Sequence, residues 1–163
     1  MKSSARIANH PIHPMLILIP AGAFLIVLFC DLLFLFTENE MWWLATPPVL
    51  LIGVAGALLA AIPGVIDYVT IVQRHNARML GLVHMLLNVI ATGLFAANGW
   101  MRYRAGAPPP DGTHGGLVLT LIGNLMIAVS GWLGGTMVYE HHVGVLEHPE
   151  ARDPDPAARP LRR

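Results

Sequence analysis

Four stretches of this chain are long and apolar enough to cross a lipid bilayer, and they leave little room for any other fold. A helix needs about 20 mostly apolar residues for the crossing. Residues 15–36, 45–68, 79–100 and 116–139 meet that requirement. Lipid offers backbone polar groups no partners, so each stretch is expected as a helix whose hydrogen bonds close internally. Composition agrees: 12% of the 163 residues are charged, against about a quarter in soluble domains. The expected fold class is all-α and integral to the membrane, a four-helix transmembrane bundle over residues 1–145. A Pro-, Arg- and Asp-rich tail over 146–163 is expected to be disordered.

The same counts exclude several function classes. Net charge is zero, which leaves no electrostatic footprint for nucleic acid. The lipid bilayer is the first partner. Cys30 is the single cysteine, so one chain forms no disulfide and no cysteine-based metal cluster. Lys2 and Arg6 before the first apolar stretch imitate a secretory signal. That stretch is long for such a signal, however, and no small-residue cleavage site follows it, so it reads as a retained span.

Four spans put both termini on one side. Lys2, Arg6, Arg74, Arg78, Arg152 and Arg159 fall there, against Arg102 and Arg104 on the other. The excess of cations on cytoplasmic loops then places both termini in the cytoplasm. Trp42, Trp43, Trp100 and Tyr103 fall at the opposite boundary, as an aromatic belt would. Pro47 and Pro48 suit a first helical turn, and Pro63 is expected to kink the second helix. Gly56, Ala60 and Gly64 on the second span, and Gly131 and Gly135 on the fourth, recur every four residues and predict close helix packing.

Ionisable residues concentrate at one end. His10 and His13 precede the first span; Asp67 and Tyr68 close the second; His84 lies inside the third; Tyr139, Glu140, His141 and His142 close the fourth. Of the eight histidines only His114 falls at the other end. A single interfacial histidine ordinarily snorkels, and His75 and His148 are read that way. His84 is surrounded by apolar sequence and must find a partner, with Asn88 and Thr92 following at four-residue spacing. His10 and His13 each precede proline, which disfavours helix at both and predicts an extended lid that directs one imidazole towards His84 or Asp67. Asp31, Asn124, Asn88 and His84 are candidates for a polar path through the bundle.

These features resemble a bacterial membrane family, domain of unknown function 2231 (DUF2231). The resemblance rests on His-Pro-Ile-His-Pro before an Ile/Leu span, on "GVIDY" at 64–68, on His84, and on "GWLGGTMVYEHHVGV" at 131–145. It extends from about Asn9 to Val145. In that family the last motif usually has Gly after the histidine; here His142 stands there, which leaves the backbone of that turn open. The resemblance implies a four-helix domain of the bacterial inner membrane and no established activity. It also implies company with redox proteins of the Rieske or cytochrome kind.

Three functions remain open on the residues. A small b-type cytochrome would ligate haem with His84, and with His13, His141 or His142 opposite it. A non-haem site would draw on His10, His13, Asp67, His84, His141 and Glu140, a mixed nitrogen and oxygen set suited to zinc, iron or copper. A structural or interaction subunit would use the histidines as a hydrogen-bonded cap on four helix ends. No HExxH pairing is present, which speaks against hydrolase chemistry, and an electron-transfer or structural subunit is expected rather than a stand-alone enzyme. A pore would require a homo-oligomer, and no inverted repeat is evident.

Overall fold

A computed structural model describes residues 3–70, 75–109 and 115–145. The cations at Lys2, Arg74, Arg152 and Arg159, His114, His148 and the 146–163 tail lie outside the described residues, as do the side chains of His75 and Asn76. A short antiparallel ribbon opens the chain, with β1 (Arg6–Ile7) paired to β2 (His10–Pro11). Ala8 and Asn9 turn it with φ of 48° and 67°, the left-handed pair that a two-residue hairpin requires. Helices α1 (Ile12–Leu16) and α2 (Leu18–Thr37) make one span, and α3 (Glu40–Leu44) and α4 (Thr46–Thr70) make the second. Helix α5 (His75–Ala105) supplies the third, and α6 (Gly115–Tyr139) is the fourth.

Proline placement follows the chemistry of helix ends. Pro14, Pro20, Pro47 and Pro48 all fall in first turns, where the missing N–H would have had no partner. His13 is helical although Pro14 follows it, contrary to the extended geometry expected of a residue before proline. His10 does take the extended form, in β2. The third span also reaches beyond residue 100, so Arg102 and Arg104 occupy the last turn of α5 rather than a loop.

The four long helices pack in the cyclic order α2, α4, α5, α6, which sets α2 and α5 on a diagonal. Burial is inverted relative to a soluble protein. Leu, Ile and Val side chains point outwards along every span, whereas Asp31, Thr46, Asn98, Arg102, Thr120 and Ser130 are buried. Lipid is as apolar as leucine, so what the interior gains is tight packing and hydrogen bonding. At mid-bundle Phe24 and Phe95 stack with ring centres 3.7 Å apart and planes 6° from parallel, among Val27, Leu50 and Ala91.

That stack exposes a tandem repeat. Residues 13–31 (HPMLILIPAGAFLIVLFCD) align with 84–102 (HMLLNVIATGLFAANGWMR) at a shift of 71. The second helices align at a shift of 70, with Leu51-Ile52-Gly53 over Leu121-Ile122-Gly123 and Gly64 over Gly134. The identities are few, but the contacts repeat with them. Phe24 lies over Gly53 as Phe95 lies over Gly123, and His13 rests on Gly64 as His84 rests on Gly134. Equivalent residues then meet one another: His13 with His84, Phe24 with Phe95, Asp31 with Arg102. Two copies of one helical hairpin face each other across an approximate two-fold axis along the bundle. This is a parallel repeat, not an inverted one.

Candidate functional site

The histidine end of the axis holds His13 and His84, with ring centres 6.2 Å apart and planes at 82°. Each ring is fixed through the same nitrogen. His13 Nδ1 lies 2.8 Å from the carbonyl oxygen of Ala60, on α4, three residues before Pro63. His84 Nδ1 lies 2.8 Å from the carbonyl oxygen of Ser130, on α6, with Ser130 Oγ also at 2.9 Å. A carbonyl only accepts, so both Nδ1 atoms carry the proton and both Nε2 atoms keep a lone pair. Among the described residues neither Nε2 has a hydrogen-bond partner, and neither is sealed from surrounding space. Gly64 lets the His13 ring come close to α4, since a Cβ there would stand 3.0 Å from it, whereas a Cβ at Gly134 would meet the His84 ring at 3.4 Å, an ordinary contact. Asn88 donates to Ser130 Oγ and to the His84 carbonyl, bracing the α5 half.

The other expected ligands are used elsewhere. Asp67 receives Ser3 Oγ at 2.7 and 2.9 Å and the amides of Ser4 and Ala5 at 3.1 and 3.2 Å. It fastens the N-terminal arm, and the Ala5 carbonyl then accepts from the Ile12 amide to fold the arm back onto α1. His10 is exposed, with Nδ1 2.9 Å from the Ala8 carbonyl oxygen. Glu140 is exposed in the turn after α6, His141 is half-buried there and His142 is exposed. Among the described residues no group of three or more His, Cys, Asp or Glu side chains is placed to share one ion. His142 takes φ 52°, and the Val143 amide reaches back to the Met137 carbonyl at 3.0 Å. This is the left-handed close of a helix that favours glycine, and here histidine takes the strained position.

Asp67→Asn should release the arm, because a neutral amide holds two backbone N–H groups and a hydroxyl less firmly than a carboxylate does. Trypsin cleavage after Arg6 should quicken several-fold in detergent; an unchanged rate would show that the clasp does not hold the arm.

The opposite end of the axis holds an ion pair that residue spacing alone did not reveal. Arg102 grips Asp31 with both terminal nitrogens, Nη1 to Oδ1 at 2.7 Å and Nη2 to Oδ2 at 2.9 Å. Arg102 Nη1 also donates to Thr46 Oγ1 and Nε to Asn98 Oδ1, while Asn98 donates to Thr120 and to the Gly116 carbonyl. The guanidinium lies 5.8 Å from the Trp43 ring, which is buried here and not part of an interfacial belt. Trp100 and Tyr103 at the same end are exposed. Asp31 is thereby separated from the expected polar path. Asn124 instead donates to the Phe24 and Thr120 carbonyls, Asn88 belongs to the His84 cluster, and the Phe24–Phe95 stack stands between. The shift of 71 residues, which carries His13 to His84 and Asp31 to Arg102, is the signal that could have found both pairs.

One packing expectation also changes. Gly56 and Gly64 do receive α2 and α1 side chains, but Gly131 and Gly135 meet nothing within 4 Å. On α6 it is Ser130 and Gly134 that face inwards, and residues one position further on point about 100° away around the helix.

The sequence profile of a family described as a predicted membrane protein, DUF2231, matches residues 9–147. No curated protein and no solved structure matches the chain.

Proposed function

The chain belongs to the DUF2231 family of predicted membrane proteins, and from that premise we propose that it is a redox subunit whose His13 and His84 hold the iron of a b-type haem. The carrying observation is the paired imidazoles with both Nε2 atoms unpartnered. Two imidazoles on opposite sides of one metal, at metal–nitrogen distances of about 2.0–2.1 Å, have ring centres roughly 6 Å apart. The observed spacing is 6.2 Å. Ligand count favours haem over a bare ion. Structural zinc takes four protein ligands and catalytic zinc three, whereas haem iron would need no more from this chain than His13 and His84. Bound there, haem supplies reversible one-electron exchange. The chain's own part is orientation: the Ala60 and Ser130 carbonyls fix the tautomer and the direction of each ring.

In this reading both termini are cytoplasmic and the membrane is the bacterial inner membrane, on the cation distribution given above. Partners would be redox proteins of the Rieske or cytochrome kind. A purely structural subunit is the second reading, favoured by Asp67, which ties the arm to a helix end.

Absorption spectra of protein purified in detergent from cells supplied with haem precursor separate the two. The expected result is a Soret band with α and β bands that sharpen on reduction. His13→Ala and His84→Ala should each remove or alter that spectrum, and Asp67→Asn should retain it. A colourless wild-type protein would discard the haem reading in favour of the structural one.

A further inference from the structure

We infer that the His13–His84 site exchanges electrons through the histidine end of the bundle alone, so that the chain is a one-sided relay and not a conductor across the membrane. The inference rests on the haem reading above and adds which face serves the partner. The asymmetry of depth is large. His84 lies seven residues inside the span Ala77–Ala105, about 10 Å at the rise of an α-helix. Arg102, near the other end of that helix, lies eighteen residues beyond His84, about 27 Å away along the axis. Tunnelling falls exponentially with distance, so the short side dominates.

What fills the long side also offers no intermediate station. Next along the axis come Phe24 and Phe95, fully buried and stacked, with glycines 53 and 123 against the rings and Leu50, Val27 and Ala91 around them. Beyond them Asn98, Thr120, Thr46, Asp31 and Arg102 are bonded to one another. Among the described residues every buried side-chain nitrogen and oxygen has a hydrogen-bond partner. The aromatic stack interrupts the polar groups of the two ends. His13 and His84, which would hold the haem, therefore stand within reach of a one-electron carrier from the histidine face, and both donor and acceptor would dock there.

The test uses haem-loaded protein in sealed phosphatidylcholine–phosphatidylglycerol vesicles. Arg78→Cys, in a Cys30→Ser background, places a label site on an exposed position at the histidine end. External labelling with an impermeant thiol reagent then gives the fraction of molecules facing outwards. Dithionite added outside should reduce that same fraction of haem, and the remainder only after detergent is added. Reduction of all the haem in intact vesicles would overturn the inference and leave the haem reading standing, as would reduction of the complementary fraction. Protein without a haem spectrum would remove the haem reading and this inference with it.

Discussion

Replacing Arg102 with alanine should lower the stability of the bundle by about 3–5 kcal/mol, the largest single-site loss expected in the molecule. Asp31 is 3% exposed and Arg102 4%, so removing the guanidinium leaves a carboxylate with neither water nor a countercharge. Three further groups are orphaned with it, because Thr46 Oγ1 and Asn98 Oδ1 lose a donor and Trp43 loses the cation over its ring. Arg102→Lys should recover only part, since an ammonium does not make the forked contact to both carboxylate oxygens. Asp31→Leu/Arg102→Leu should recover most of the loss, because an uncharged pair owes no desolvation. Unfolding in detergent, followed by heat or by added dodecyl sulfate, measures all three variants. If Arg102→Ala unfolded with the wild type, the pair would be incidental to stability.

The second large effect is steric and differs in sign between glycines that look alike in sequence. Gly123→Ala places a methyl 2.6 Å from Phe95 Cζ, and Gly53→Ala does the same to the Phe24 ring. The two rings are stacked on each other and have no free side to move to. Overpacking of this kind costs about 1–3 kcal/mol. Gly22 and Gly93, a further repeat-related pair, have nothing within 4 Å of an added Cβ. There alanine should stabilise by roughly 0.5–1 kcal/mol, through the helix propensity that glycine lacks. Phe95→Leu should relieve Gly123→Ala if the clash is the cause. Equal behaviour of the four glycines would refute the stacked core.

The histidine end shows how far residue spacing reaches. Placing His13, Asp67, His84 and Glu140–His142 at one end needs only span counting and the 1.5 Å rise of a helix. Their roles within that end needed coordinates. The Asp67 carboxylate could be read as a ligand until the arm was seen folded over it, because the arm's amides carry no mark in the residue string. His10 and His13 share the same proline context yet part company: one stays in an exposed ribbon, while the other turns helical and reaches Ala60.

Fold class followed from hydropathy because a bilayer permits so few solutions: apolar runs of this length must be helices, and four of them must bundle. Close packing at Gly56, Ala60 and Gly64 was legible for a similar local reason, since small residues every four positions lie on one helix face. Helix rotation was not. Whether Gly131 or Gly134 faces inwards, and whether Asp31 meets Asn124 or Arg102, depends on which faces of distant helices meet. Low sequence identity between the two hairpins hid the axis that decides this. Hydropathy is a property of each segment and survives in the sequence; the pairing of His13 with His84 and of Asp31 with Arg102 is a relation between segments, fixed only when the two hairpins pack against each other.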